Sequence, residues 1–187
     1  MILKNVIYGY YSVDMHIGDI NIDPYPLSLF VSYSEHNENE SCYLQFETEC
    51  NNISTLLSMD IYDSGLVKEI SLITHHVSNC ININENYNNL HIKKGMPSFC
   101  TRFIGKGEKE EDDECQFFSD EFIGYVLKDH KLIVLFTTEK PYLLVKASSQ
   151  LSFIFDKNYK MISIDISFSN DEFREIEKWF GNKNNLS

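Results

Sequence analysis

LSFIFDKNYKMISIDISF, from Leu151 to Phe168, is the stretch that decides the fold. Leu151, Phe153 and Phe155 share one face of an extended chain, and Asp156-Lys157-Asn158-Tyr159-Lys160 makes a polar turn. The chain returns with Ile162, Ile164, Ile166 and Phe168 alternating against Ser163, Asp165 and Ser167. Alternation at period two on both arms of a turn predicts a β-hairpin. A helix follows at once. Ser169-Asn170-Asp171-Glu172 has capping-box spacing, so the Ser169 hydroxyl can accept from the Glu172 amide while the Glu172 carboxylate returns to the Ser169 amide. Phe168 and Phe173 stand where a hydrophobic staple requires them. Phe173, Ile176 and Phe180 then form one apolar stripe with Trp179 beside it, and Gly181 is placed for a left-handed cap.

Working outward from the hairpin, Leu132 to Phe136 is a continuous apolar run of strand length, as expected of a strand covered on both faces. Glu139-Lys140-Pro141 turns the chain into a further strand at Tyr142 to Val145. Towards the N-terminus, strands are predicted at Ile17 to Ile22 and Leu27 to Tyr33, separated by Asp23-Pro24-Tyr25-Pro26, whose prolines stop a ladder. In the second of these, Leu27, Leu29, Val31 and Tyr33 share a face, while Phe30 lies with Ser28 and Ser32 on the other. Ser34 to Glu40 reads as a loop. Ser41 to Thr48 alternates Cys42, Leu44 and Phe46 against Tyr43, Gln45 and Glu47. Leu66 to Thr74 fits a strand or a short helix, and its β-branched content favours the strand. Val77 to Ile83 reads as another strand, Asn84 to Asn89 as a loop, and Leu90 to Ile92 as a short extended piece.

These elements predict a mainly β (α+β) protein: an antiparallel sandwich or half-barrel with a C-terminal helix packed on the sheet. At 187 residues, without internal repeat or linker, a single domain over 1–187 is expected, with Asn182 to Ser187 as a frayed tail. Apolar residues make up 43% and charged residues 24%, the balance of a globular core rather than of disorder.

Sixteen basic residues against 28 acidic ones give a net charge of −12. That charge repels phosphate backbones and anionic headgroups, so direct nucleic-acid and membrane binding are not expected. Solubility alone also selects for acidity. No run is long enough to span a bilayer, and Lys4 and Asn5 break the apolar N-terminus, which has no small-residue cleavage site. Cys42, Cys50, Cys80, Cys100 and Cys115 are odd in number and form no C-x-x-C pair. A complete internal disulfide set is impossible, and reduced thiols in a cytoplasmic protein are expected. Asn39, Asn52 and Asn185 match the N-glycosylation pattern, which has no use without export.

Catalytic and cofactor patterns are missing. No phosphate-binding glycine loop, nucleophile elbow or H-E-x-x-H occurs, and Gly105-Lys106-Gly107 leads into an acidic run rather than a helix. His75 and His76 would face opposite ways on a strand, so they do not converge on a metal. Cys115 follows a run of carboxylates, which would raise its pKa and suppress the thiolate. Neither an enzyme nor a cofactor is indicated.

The acidic run itself, Glu108 to Glu114, holds Glu108, Glu110, Glu111, Asp112, Asp113 and Glu114 with one lysine. Such blocks are commonly solvated loops. Clustered carboxylates also imitate the phosphate spacing of a nucleic acid and steer a basic protein. Asp120 and Glu121 add charge nearby, and Phe117 and Phe118 supply apolar anchors, unless one of them belongs to the core.

In size, acidity, Asn/Ile/Lys/Tyr-rich style, and the hairpin Leu151 to Ile166 leading into a short terminal helix, the chain resembles the immunity proteins of bacterial polymorphic-toxin systems, particularly of contact-dependent growth inhibition. The group shares no motif, so no residue is carried over. The resemblance implies a cytoplasmic inhibitor that binds a cognate basic toxin domain, commonly a nuclease, and occludes its active site. The competing expectation is a β-barrel or sandwich with Phe and Tyr lining a small-ligand cavity.

Overall fold

The computed structural model of the chain describes residues 1–18, 27–34, 41–50, 53–74, 90–100, 116–119 and 124–181. Their first strands are β1 (Leu3–Ile7), β2 (Tyr11–Ile17), β3 (Leu27–Tyr33), β4 (Ser41–Cys50) and β5 (Ile53–Tyr62). Next come β6 (Val67–Thr74), β7 (His91–Lys94), β8 (Met96–Phe99) and β9 (Gln116–Ser119). The last third adds β10 (Gly124–Lys128), β11 (Lys131–Leu135), β12 (Leu143–Lys146), β13 (Leu151–Phe155), β14 (Met161–Ser167) and the helix α1 (Asn170–Gly181).

The hairpin forms as its alternation requires: β13 and β14 pair antiparallel, with Leu151 opposite Ile166 and Phe153 opposite Ile164. It sits inside a six-stranded sheet of order β10-β11-β14-β13-β12-β7, here the C-terminal sheet. The N-terminal sheet has order β2-β3-β6-β5-β4-β9. Neighbours are antiparallel except at one edge of each sheet, where β7 runs parallel to β12 and β9 to β4. Among the described residues, neither sheet closes on itself.

Side chains from both sheets merge into one core, which makes the architecture a sandwich. Leu29, Met59, Ile61 and Ile70 come from the N-terminal sheet, and Val134, Val145, Phe153 and Ile164 from the C-terminal sheet. Phe99 packs on Phe153 and Phe155, each pair with centroids 6.2 Å apart, so these rings fill space between the layers. The Tyr11 hydroxyl crosses between sheets to donate to the Ala147 carbonyl at 2.6 Å. Burial drives the Tyr33 hydroxyl pKa well above its ordinary value, and the neighbouring Tyr11 and Tyr62 hydroxyls push it further. It stays protonated and donates to the Val67 carbonyl at 2.8 Å.

A third element, the two-stranded ribbon β1–β8, ties the sheets together. Ile2 bridges to Lys160 in the C-terminal hairpin, and Leu66 bridges to Ser98 beside the N-terminal sheet. Two glycines permit this crossing. Gly95 (φ 137°) turns the chain from β7 into β8, and a Cβ there would stand 2.5 Å from the Ile7 carbonyl oxygen. Gly65 (φ 91°) accepts the Phe99 amide on its carbonyl at 2.8 Å, and a Cβ would run into the Phe99 backbone. Strands that change layers turn at such corners.

The helix begins as its capping box dictates. The Ser169 amide donates to Glu172 at 2.7 Å, and the Glu172 amide donates to the Ser169 hydroxyl at 3.4 Å. Phe168 and Phe173 meet with ring centroids 6.4 Å apart, completing the staple. Ile176 is fully buried in the main core. The helix rests on the hairpin sheet as expected, and it reaches further. Phe173 packs on His130 in the β10–β11 turn, while the Trp179 Nε1–H donates to the Gly18 carbonyl after β2. The helix therefore touches both layers.

Other expectations differ. A strand that the pattern did not announce lies at Tyr11–Ile17, because Val13, Met15 and Ile17 turn inward against β3; of the strand expected at Ile17 to Ile22, only Ile17 and Gly18 are among the described residues. Ser163 and Asp165 are only 2% and 6% exposed, although they alternate with the isoleucines. A second small cluster of Leu135, Ile154 and Ile162 covers that outer face, and the Ser163 hydroxyl donates to Asp165 at 2.8 Å. Leu66 to Thr74 resolves as strand β6, with Ile70 and Leu72 inward. The readings at 19–22, Asp23 to Pro26, 35–40, Val77 to Ile83, Asn84 to Asn89 and Asn182 to Ser187 lie outside the described residues.

Candidate protein-docking face

Alternation along β3 places Leu27, Leu29 and Val31 in the core and turns Phe30 outward. Phe30 is 44% exposed on the second strand of the N-terminal sheet, an unusual place for a large ring. Its cross-strand partners are both acidic: Asp14 of β2 on one side and Glu69 of β6 on the other. Glu69 in turn stands opposite Asp60 of β5. Continuing across the sheet, Asp60 is in register with Tyr43 of β4, and Tyr43 with Gln116 of β9. One transverse row thus reads Asp14, Phe30, Glu69, Asp60, Tyr43, Gln116. Directly opposite residues of a sheet share a face.

The three carboxylates are not equivalent. Asp60 is paired with Lys68 at 2.7 Å. That hydrogen bond, against a smaller opposing effect of burial, raises the Lys68 ammonium above its ordinary pKa. Glu69 accepts the Ser71 hydroxyl at 2.5 Å. Asp14 is exposed and accepts a long 3.3 Å bond from the Ser12 hydroxyl. The adjoining row runs His16, Ser28, Ser71, Ser58, Gln45. Its three serines are buried and bonded to one another, Ser28 to Ser71 at 3.1 Å and Ser58 to the Ser71 carbonyl at 3.4 Å.

Of the residues expected from sequence to bind a partner, Glu108, Glu110, Glu111, Asp112, Asp113, Glu114, Asp120 and Glu121 lie outside the described residues. Phe117 and Phe118 fall on β9, the edge strand of this same sheet. Phe117 takes the register position of the buried Leu44, and Phe118 that of Gln45. Glu114 precedes Gln116 by two positions, so the acidic run leads directly into the edge that completes the Asp14–Phe30–Glu69 row. Phe30, Asp14 and Glu69 were missed as site residues. The signal for Phe30 was present: an aromatic alone between Ser28 and Ser32 on the polar face of a strand.

Charge is divided unevenly along the chain. Residues 90–100 and 124–168 carry eight lysines and four acids, which leaves eight basic and 24 acidic residues for the rest of the chain. Among the described residues, no group of three or more His, Cys, Asp or Glu side chains is placed to hold a metal, and no helix is long and apolar enough to cross a membrane. His75, His76, Cys80 and Cys115 lie outside the described residues; Cys100 is a half-buried free thiol. No family model matches the chain, and no curated protein matches it.

Proposed function

We propose that this protein is an inhibitor of the immunity type, which binds a cognate basic toxin domain and blocks its active site through the outer face of the N-terminal sheet. The observation that carries this reading is Phe30, 44% exposed and in register with Asp14 and Glu69, on the sheet whose edge strand the acidic run enters. An exposed aromatic ringed by carboxylates has the make-up of an anchor for a cationic surface: the ring contributes apolar contact and the acids select for Lys and Arg. A basic nuclease fits, because the lysines and arginines that hold its substrate's phosphates are the groups such a face would engage. Outside residues 90–100 and 124–168, 24 acids against eight basic residues add long-range attraction, which raises association above the unsteered ~10⁵–10⁶ M⁻¹s⁻¹. The protein acts in the cytoplasm in this reading, and it needs no cofactor.

The test is copurification with the product of the adjacent gene, at low and high salt. A specific complex with a basic domain, weakened by Asp14→Lys and by Phe30→Ala, is the expected result. Absence of a specific complex, or one indifferent to both substitutions, rejects the proposal.

A further inference from the structure

The chain's net charge conceals a basic groove at one end of the C-terminal sheet. The Tyr142 amide donates to the Phe155 carbonyl at 2.9 Å, which sets the β11–β12 connection beside the β13–β14 turn. Between them opens a groove of about 730 Å³ whose walls include Lys140, Lys157, Lys160 and Tyr142. Two acids also line it, Glu139 and Asp156. Asp156 is buried and serves the turn: its Oδ1 accepts the amides of Asn158 and Lys160, both at 2.8 Å. Lys140 and Lys157 are exposed, with their ammonium groups available to solvent and ligand. The Tyr142 ring is 40% exposed and is supported by the His91 ring at 4.8 Å.

We propose that this groove binds a small molecule of the nucleoside polyphosphate class, with several negative charges beside a planar ring. Its volume is in the range of small-molecule sites, about 300–1,000 Å³. The lysines supply mobile cations for phosphate oxygens, and Tyr142 supplies a face for the ring. The overall negative charge does not forbid this. At physiological ionic strength, fields are screened over about 8 Å, so a ligand in the groove experiences its lining charges, three lysines against Glu139 and Asp156, more than the carboxylates elsewhere on the molecule. The site lies on the opposite layer from Phe30 and does not depend on the inhibitor reading.

The test is calorimetric titration of the full chain with ATP, tripolyphosphate and adenosine, in about 0.15 M salt without divalent cations. ATP is expected to bind, tripolyphosphate more weakly, and adenosine not detectably. Lys140→Ala/Lys157→Ala should weaken ATP at least ~10-fold while leaving the unliganded melting temperature unchanged, and Tyr142→Leu should bring ATP down to the affinity of tripolyphosphate. No ATP binding at about 5 mM, equal affinity for ATP and tripolyphosphate, or full ATP affinity in the double lysine variant would each overturn the proposal.

Discussion

The Trp179 indole donates its N–H to the carbonyl of Gly18 at 2.8 Å, joining residues 161 positions apart. Through this bond the last helix is fastened to the exit of β2, in the opposite layer from the hairpin that launches it. Trp179→Phe keeps much of the ring and removes the donor, leaving the half of the contact that is apolar. A loss of about 1 kcal/mol is expected in urea unfolding. Ile176→Ala, which opens a cavity in the main core, should cost about 2–5 kcal/mol.

The capping box should impose a measurable pH dependence on the same helix. Partial burial acts to raise the Glu172 carboxyl, but bonds from the Ser169 amide, the Ser169 side chain and Gln150 outweigh it and lower its pKa. A carboxyl held lower in the folded state stabilises the protein above its unfolded pKa, and that contribution disappears as pH falls through the folded pKa. Ser169→Ala should therefore cost about 1 kcal/mol near neutrality, and its difference from the parent should shrink in thermal melts taken progressively below the ordinary glutamate range.

Gly65 and Gly95 are expected to resist replacement. Each has positive φ and a backbone neighbour where a Cβ would go. Gly65→Ala should lose about 1–3 kcal/mol from strain, with more from displacing Phe99. Gly9, which has open space around it, is the control: Gly9→Ala should leave the melting temperature nearly unchanged.

Phe30 should separate binding from stability. As a half-exposed residue it contributes little to folding, so Phe30→Ser is expected within about 0.5 kcal/mol of the parent in denaturant titration. Against a basic partner domain the same change should cost about 2 kcal/mol or more, chiefly as faster dissociation. Asp14→Lys should act mainly on the association rate, and its effect should fade as salt rises. Surface plasmon resonance at two salt concentrations resolves the two patterns.

Local physics was readable in one dimension. The period-two alternation from Leu151 to Ile166, the apolar run at Leu132 to Phe136 and the Ser169–Glu172 spacing each specify a conformation through contacts a few residues apart, and a hairpin, a strand at Lys131–Leu135 and a capped helix form there. The strand at Leu3–Ile7 was unreadable because its polar Lys4 and Asn5 spoil the pattern; long-range pairing with β8 determines it. Tyr11–Ile17 is also decided by pairing, since its inward residues stay only half-buried even with β3 beside them.

By itself, then, the sequence determined the β class, the hairpin, the capped helix and the excess of negative charge, all properties of neighbours or of composition. Only the tertiary structure decided that Asp14, Phe30 and Glu69 stand side by side, and that Lys140 and Lys157 share a groove. The reason is that strand register and sheet order join segments tens of residues apart. Hydrophobic burial selects that arrangement through the whole core, leaving no trace of it in the spacing of the exposed residues it brings together.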